Sequence, residues 1–342
     1  MSDEYSKENI KVIPLPDSVR KRPGMFFGNI NSLAVNAAIY EAVANAVDQY
    51  LAGNATKVSV DVEGKIIRVL DDGSGLPFNR LVTQCECSNL AEHYFIHHHD
   101  SPTADNHAPH IHIIGGGLGL AVLNAAAERI KVKSSNGVHT YSQVFGRGKI
   151  ISPGEIKKIR SAPGTELEIE LDADLFQGYQ PDFSAMRKTL FELAHFYPGL
   201  VVEFQQERFV ASRGLLDLAY IQYSNPPLAW AQDPPVKYFL NKIKDQIQIQ
   251  VAAIGDSKTD TTYKSWVNGV ETVEGGAHVV GLSKAFENVS WMPRVAFIHL
   301  IMHDPKFAGP SKDALRSSLV ENIIEKAVTE SLIEFRDNNA CQ

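Results

Sequence analysis

The chain has 342 residues, of which 44% are hydrophobic and 21% charged, which suits a globular protein with two packed domains. Its formal net charge of -7 argues against a surface built to neutralise phosphates, so direct nucleic-acid binding by this chain alone is not favoured. There is no signal-peptide pattern and no apolar run of about eighteen residues, which indicates a cytoplasmic protein without a membrane contact, and the three cysteines are expected to be reduced.

The first eighteen residues are polar, contain two prolines and lack a periodic pattern. We therefore expect an extended N-terminal arm over residues 1–18. The basic segment VRKRPGMFFG, residues 19–28, joins this arm to the first long helix. Taken alone, that segment predicts a solvated loop.

The strongest helical pattern runs from Tyr40 to Gly53, because apolar residues recur there at spacings of three and four. Glu41, Asn45 and Asp48 follow one line along this helix. A general base, a metal-holding amide and a structural acid need such a line. Any surface helix with a polar side, however, carries polar residues at the same spacing. The apolar stripe consists of Ile39, Ala42, Val43, Ala46, Val47, Tyr50 and Leu51.

Two strands are predicted next, at residues 56–62 and 65–70, and the second ends in the sequence DDGSGLP. An acid at the end of a strand, such as Asp71, can accept a hydrogen bond from an exocyclic amine like that of adenine. The glycines after it allow a close approach to the backbone. A tight turn between two elements would look the same.

A histidine-rich segment, residues 93–112, holds seven of the twelve histidines and leads into the glycines of residues 115–119. A glycine loop that opens a helix presents backbone N–H groups and the positive end of the helix dipole, which suits a polyphosphate. The spacing is not that of a dinucleotide fingerprint, and no P-loop lysine follows. Further strands are predicted within residues 130–144 and, after a Gly-Thr pair, at residues 166–171.

From Arg213 onward the pattern indicates a second α+β unit. Strands are predicted near residues 246–254, 264–268 and 295–303. Helices are predicted after Glu274 and over residues 315–335.

Four segments, YEAVANAVDQYLAG, DDGSGLP, GGGLG and the Gly-Thr pair, resemble the nucleotide-binding boxes of the superfamily of gyrase, Hsp-type chaperones, histidine kinases and MutL. The similarity to the B subunits of bacterial DNA gyrase and topoisomerase IV is closer, because VRKRPGMFFG, EGGAHVVG and DPKFAGPSKDALRSS resemble their motifs in order. The resemblance implies an α+β fold: a Bergerat-type α/β sandwich followed by an S5-like transducer. The implied parts are a dimerisation arm at 1–18, an ATP-binding domain at 19–212 and a transducer domain at 213–342.

By this resemblance, Glu41 is the general base for ATP hydrolysis and Asn45 holds Mg²⁺. Asp71 and Thr165 would bind adenine, Lys312 would neutralise the γ-phosphate, and Tyr5 would cross to the nucleotide site of a second protomer. The implied ATP-binding residues are Tyr5, Asn45, Asp71, Gly75, Pro77, Gly115, Gly116, Gly117, Leu118, Gly119, Thr165 and Lys312.

The sequence departs from the family pattern at positions that concern inhibitor binding and the lid, that is, the glycines of residues 115–119 and the histidine-rich segment before them. Ser74 and Gln49 replace an Arg and a Glu that form an ion pair in the family. Because both charged residues are lost together, no unpaired charge remains. Pro310 and Ser311 replace a Gln and a Thr, and GGG replaces the usual LHG. ATP hydrolysis is expected to persist while family inhibitors bind differently.

The resemblance implies the ATPase part of a type IIA topoisomerase that dimerises on ATP. Implied partners are a second copy of the chain, a DNA-cleaving subunit, double-stranded DNA and gyrase-type ATP-site inhibitors. The acidic cluster of the cleavage half, EGDSA together with D-x-D, does not occur, so this chain alone should not cut DNA. One alternative is a stand-alone nucleotide-switched dimerising module with little turnover, and another is a MutL-like repair protein.

Zinc is a second candidate metal. Cys85, Cys87, His93 and His97 have suitable types, and the two histidines lie one helical turn apart. Zinc sites more often contain C-x-x-C, and a histidine-rich segment needs no metal, so the sequence favours the metal-free interpretation.

Overall fold

The computed structural model describes residues 13–82, 85–97, 118–223, 236–309 and 312–340. Among the predicted site residues, Tyr5, Gly115, Gly116 and Gly117 lie outside the described residues. The chain divides into two compact units. The first comprises the described parts of Met1–Ala42, Asp61–His99 and Leu118–Asp182, and the second those of Val43–Val60 and Phe183–Gln342.

Runs of helices and runs of strands follow one another along the chain, and most strand pairs are antiparallel, so the predicted α+β class is confirmed. The helices are α1 (Leu15–Lys21), α2 (Gly24–Phe27), α3 (Ser32–Leu51), α4 (Leu90–Ile96), α5 (Gly119–Ala126), α6 (Phe183–Phe196), α7 (Leu215–Tyr223), α8 (Ala277–Asn288) and α9 (Ser318–Ala340). The strands are β1 (Lys57–Glu63), β2 (Ile66–Asp71), β3 (Ala127–Ser135), β4 (Thr140–Gly146), β5 (Lys149–Lys157), β6 (Gly164–Leu171), β7 (Val201–Phe204), β8 (Glu207–Phe209), β9 (Lys237–Lys244), β10 (Ile247–Ile254), β11 (Thr262–Val267), β12 (Val270–Glu271), β13 (Gly275–Gly276), β14 (Val295–Ile301) and β15 (Ala314–Leu315).

The larger sheet has eight strands in the order β5-β4-β3-β6-β2-β1-β7-β8. Strand β6 is antiparallel to both β2 and β3, and its register places Thr165 opposite Asp71 on one side and opposite Ser134 on the other. Polar residues from three adjacent strands therefore meet where β2 ends, which is the place that the sequence predicted for adenine recognition.

Helix α3 begins at Ser32, earlier than the pattern at Tyr40 predicted, because the Asn31 side chain accepts hydrogen bonds from the N–H groups of Leu33 and Ala34. Most of its predicted apolar stripe is buried. Glu41, predicted to lie on a line of the helix surface, is only 5% exposed, because the helix is covered on this side as well. Asn45 and Asp48 are half-buried.

Helix α1 corrects the expectation of an extended arm up to residue 18, since the chain is helical from Leu15. A proline in the first turn is compatible with a helix, because the first N–H groups have no partner within it. Val19 is fully buried. On the same helix, Arg20 donates to the Asp172 carboxylate at 2.7 Å and to the Ala125 carbonyl at 3.2 Å. Tertiary contacts therefore stabilise a helix too short to be recognised from its pattern.

Arg20→Met is expected to lower the free energy of unfolding by about 2–3 kcal/mol at pH 7, because it leaves the buried Asp172 carboxylate without its nearest cation. Burial raises the pKa of Asp172, but the hydrogen bond from Arg20 and backbone N–H groups lower it below 3.8 overall. That stabilisation is present above the unfolded-state pKa and is lost as the pH falls through the folded-state pKa.

Urea denaturation at pH 7 and at acidic pH measures this effect, and the difference between variant and wild type should shrink on acidification. Lys21→Met, at an exposed position on the same helix, is the matched control. Equal losses in the two variants would contradict the proposed role of the Arg20–Asp172 pair.

The second unit contains a five-stranded sheet in the order β12-β11-β14-β10-β9. Strand β14 is buried along its whole length, as its apolar sequence predicted, and lies between β10 and β11. Helices α8 and α9 contribute Leu282, Phe286, Ile324 and Val328 to the core on this sheet. Helix α9 starts at Ser318 rather than at 315, because residues 314–315 pair with β13. Among the described residues, no helix has the length and apolar character needed to cross a bilayer.

Candidate functional site

Glu41 lies against the start of helix α5. One oxygen of its carboxylate, Oε2, accepts hydrogen bonds from the backbone N–H groups of Leu118 at 3.0 Å and Gly119 at 2.7 Å. The first N–H groups of a helix have no partner within the helix, and the dipole there attracts negative charge. These two N–H groups belong to the end of the glycine segment, which was predicted to bind phosphate. In this structure they bind the carboxylate oxygen of Glu41.

Asp71 is the last residue of β2, and its Oδ1 accepts a hydrogen bond from the Gly73 N–H at 2.8 Å. Burial and the nearby Asp72 carboxylate raise its pKa to about 6, although hydrogen bonds from the backbone of Gly73 and Thr165 act in the opposite direction. Burial makes the ionised form of this carboxyl group unfavourable. A hydrogen-bond donor such as an exocyclic amine would stabilise the ionised form.

The turn after Asp71 is fastened to β3 by Ser134. The Ser134 Oγ accepts from the Leu76 N–H at 2.8 Å and lies 3.2 Å from the Thr165 Oγ1. Sequence reasoning missed Ser134, because a serine inside a strand carries no signal of its contacts. The residue orders the hydroxyl of Thr165 and the turn that follows Asp71.

Gly75 is required by the packing of this turn. Its φ is +79°, and a Cβ at this position would lie 2.2 Å from the Ser135 carbonyl oxygen. The close approach that the sequence predicted for this glycine is thus made by the chain itself. Pro77 follows in the same turn and is half-buried.

Asn45 lies on α3 one helical turn after Glu41 and is half-buried. Its side-chain oxygen is the hard, uncharged type of ligand that suits Mg²⁺. A protein that binds Mg²⁺ together with a nucleotide supplies few ligands, because phosphate oxygens and water complete the shell. A single amide oxygen at this position fits that donor set.

Lys312 belongs to the second unit, in a loop anchored by two of the motifs recognised in the sequence. Gly275 and Gly276 of the EGGAH segment form β13, which pairs in parallel with Ala314 and Leu315. A Cβ at Gly276 would lie 2.3 Å from the Leu315 carbonyl oxygen. The Lys312 Nζ lies 5.8 Å from the centroid of the Phe307 ring. The EGGAH segment therefore positions the loop that carries Lys312.

His278, the histidine of EGGAH, is fully buried and lies 3.2 Å from the Thr272 hydroxyl through its Nε2. Burial lowers its pKa to about 4, so the ring is neutral at physiological pH. Its place within the core of the second unit indicates a role in packing.

The predicted zinc ligands Cys85, Cys87, His93 and His97 come together in the first unit, with one donor atom of each within 4.8 Å of the others. Burial and the neighbouring Cys85 thiol raise the pKa of the Cys87 thiol to about 12, with a smaller contribution from Glu92.

The family described as "Histidine kinase-, DNA gyrase B-, and HSP90-like ATPase" matches residues 31–175. The chain is 26% identical to the DNA gyrase B protein of Campylobacter jejuni, over 99% of this chain and 47% of that protein. It is 25% identical to the DNA topoisomerase 4 B protein of Mycoplasma genitalium, over 99% of this chain and 58% of that protein. The chain thus spans about half the length of these relatives.

The fold is similar to that of the 43K ATPase domain of Thermus thermophilus gyrase B, a structure in complex with an aminocoumarin. The TM-score is 0.76 at 20% sequence identity, and the similarity covers 95% of this chain and 90% of that one. The predicted fold class, an α/β sandwich followed by a second α+β domain, is confirmed by this similarity.

Proposed function

We propose that this chain binds and hydrolyses ATP, because its residues 31–175 match the family model described as "Histidine kinase-, DNA gyrase B-, and HSP90-like ATPase". We propose further that it is the nucleotide-dependent module of a gyrase B-like type IIA topoisomerase. The observation that carries the proposal is the contact of Glu41 with the first N–H groups of α5. It combines a carboxylate able to act as a base with an anion-binding helix start.

In the proposed reaction, phosphate oxygens of ATP replace Glu41 as the acceptor of the N–H groups at Leu118 and Gly119. The released carboxylate orients a water molecule and takes its proton as the water oxygen attacks the γ-phosphorus. The bond from that phosphorus to the bridging oxygen breaks, and ADP and phosphate leave. Gly115, Gly116 and Gly117 precede these N–H groups and are proposed to extend the same cradle.

The adenine end of the nucleotide is assigned to Asp71. The carboxylate accepts from the exocyclic amine, and the Thr165 hydroxyl, ordered by Ser134, completes the contact. Gly75 and Pro77 keep the adjoining turn in place. This assignment makes ATP preferred over GTP, because guanine presents a carbonyl where adenine presents the amine.

The Asn45 side-chain oxygen would hold Mg²⁺, which supplies charge neutralisation of the triphosphate when it is bound. Lys312 is proposed to add a positive charge at the γ-phosphate, so that hydrolysis and phosphate release alter its interactions.

ATP is proposed to join two copies of the chain, with Tyr5 of each copy contacting the nucleotide of the other. In a full topoisomerase, such a dimer would control the passage of double-stranded DNA, and a DNA-cleaving subunit would act as partner. ATP-site inhibitors of the gyrase type are proposed as ligands. The passage and cleavage of DNA are proposed for an assembly larger than this chain, which spans about half the length of its relatives.

A steady-state ATPase assay of the wild type, combined with analytical ultracentrifugation, tests this function. We expect Mg²⁺-dependent release of phosphate, a dimer with a nonhydrolysable ATP analogue and a monomer with ADP. The absence of both nucleotide binding and turnover at millimolar ATP would contradict it.

A nucleotide-switched module with little turnover is the second candidate. It is favoured by one observation: two N–H groups already engage the Glu41 carboxylate, which occupies the oxygen atom that would otherwise orient a water molecule. If that contact persists with ATP bound, the chain dimerises but hydrolyses little. The same assays distinguish the candidates, because the switch gives a dimer with ATP itself as well as with the analogue.

A further inference from the structure

Two cysteines and two histidines form a compact cluster outside the proposed nucleotide site. Cys85 and Cys87 lie in the loop before α4, His93 lies on α4, and His97 caps its C-terminus. The Sγ of Cys85 and the Nδ1 of His93 are 3.2 Å apart. The rings of His93 and His97 are stacked with their centroids 4.9 Å apart. One donor atom from each of the four side chains lies within 4.8 Å of the others.

These separations are close to those of a tetrahedral zinc site. With Zn–S bonds of about 2.3 Å and Zn–N bonds of about 2.0–2.1 Å, neighbouring ligand atoms lie about 3.3–3.8 Å apart. The four donor atoms need to move inward by about 1 Å at most to reach this geometry. A set of two thiolates and two imidazoles is typical of a structural zinc site.

The loop that carries the cysteines is held to α4 without any metal. The Asn89 side chain caps the helix by accepting from the Glu92 N–H at 2.9 Å, and Glu92 accepts in return from the Ser88 N–H at 3.1 Å. Glu92 is buried, and its other carboxylate oxygen accepts from the Gln143 side chain on β4 at 2.8 Å. These hydrogen bonds hold the end of the cysteine loop, at Ser88 and Asn89, against α4, so a metal would meet a largely preformed site.

We propose that Cys85, Cys87, His93 and His97 bind one Zn²⁺ ion. Binding releases the two thiol protons and forms a neutral centre of one dication and two thiolates, with His93 coordinating through the Nδ1 that faces the Cys85 sulfur. Four protein ligands fill the tetrahedron and leave no position for a substrate, so the site is structural.

The location of the cluster indicates what the metal stabilises. His97 immediately precedes residues 98–117, the segment that joins α4 to the start of α5. Helix α4 contacts α5 through the hydrogen bond from the Asn124 side chain to the Phe95 carbonyl, 2.8 Å long. Zinc would hold the cysteine loop, helix α4 and His97 in fixed relative positions. It takes no part in the proposed hydrolysis.

Metal analysis of protein purified without a histidine tag or added metal tests the proposal. We expect about one zinc per chain after dialysis, retained at low micromolar free zinc. Cys85→Ser combined with Cys87→Ser, and His93→Gln alone, should each weaken zinc binding by more than about 100-fold. Two controls should retain it: Cys341→Ser removes the third cysteine, and the triple change His107→Gln, His110→Gln and His112→Gln removes other histidines.

Cobalt substitution of the wild type decides the case even if the cysteine variants fail to fold. A thiolate-to-cobalt charge-transfer band with intense ligand-field bands indicates a tetrahedral site containing sulfur. Wild-type protein that binds less than stoichiometric zinc when titrated with zinc chloride would overturn the proposal. Zinc retained by the double cysteine variant, or lost from the triple histidine control, would overturn it too. None of these measurements depends on ATP hydrolysis. The zinc proposal can therefore be refuted without affecting the proposed function.

Discussion

Glu41→Gln is expected to lower kcat for ATP hydrolysis by a factor of about 10²–10⁴ while nucleotide binding is retained. Glutamine keeps a side-chain oxygen able to accept from the N–H groups of Leu118 and Gly119, so the start of α5 remains satisfied. It has no basicity to take the proton from the attacking water. The substitution therefore removes the proposed chemistry and leaves the local structure.

Glu41→Ala is expected to lose the same turnover and, in addition, stability. Without the side chain, two half-buried N–H groups at the start of a helix lose a charged acceptor, which costs about 1–3 kcal/mol of unfolding free energy. A coupled phosphate-release assay measures kcat, and urea denaturation measures stability. The glutamine and alanine variants should agree in the first measurement and differ in the second.

Glu63→Gln is the matched control, because it neutralises an exposed carboxylate of the same unit that pairs with Arg68 on the surface. Its kcat should remain within about twofold of the wild type. If the wild type hydrolyses ATP more than about tenfold faster than Glu41→Ala while Glu41→Gln matches the wild-type rate, Glu41 is not the general base. A wild type that binds nucleotide and turns over no faster than either Glu41 variant would instead support the nucleotide-switched module.

Periodic sequence patterns correctly predicted those helices and strands whose formation depends mainly on their own residues. The apolar run at residues 295–303 became β14, because a strand buried on both faces consists almost entirely of apolar residues. The strand predicted at residues 65–70 became β2, and the glycine turn that follows ended it where the pattern indicated. Asp71 thus lies at the end of a strand, as the sequence predicted.

Features that depend on contacts between distant segments could not be predicted in this way. The helical state of residues 15–21 depends partly on Asp172, more than a hundred positions away. The burial of Glu41 and its contact with Gly119 depend on how α5 meets α3. Ser134 gains its role only when β3 and β6 pair in the observed register. Local propensity carries no information about such contacts.

Asp71→Asn is expected to weaken ATP binding by about ten- to a hundredfold, because a charge-assisted hydrogen bond is worth about 1.5–3 kcal/mol. Asparagine has nearly the same shape, and its oxygen can still accept from the Gly73 N–H, so the turn should persist. The preference for ATP over GTP should fall as well. Fluorescence titration with a nonhydrolysable analogue of each nucleotide measures both effects.

The affinity of the wild type should also depend on pH through this group. Since the pKa of Asp71 is raised to about 6 in the free protein, the carboxylate is mostly protonated at pH 5 and a poor acceptor. Affinity at pH 5 should therefore be about tenfold lower than at pH 7. Titration of the nucleotide phosphates contributes equally to wild type and Asp71→Asn, so the difference between their profiles isolates Asp71.

The same substitution should make the protein more stable, which a purely structural role for Asp71 would not produce. The folded-state pKa exceeds the ordinary value of 3.8, so the folded protein binds more protons than the unfolded chain between these values, and stability falls as the pH rises toward 6. Asparagine removes this cost, so the variant should exceed the wild type by on the order of 1–2 kcal/mol at pH 7 and match it below pH 3.8. Unchanged ATP affinity in a stabilised variant would assign the raised pKa to burial alone and remove Asp71 from the nucleotide site.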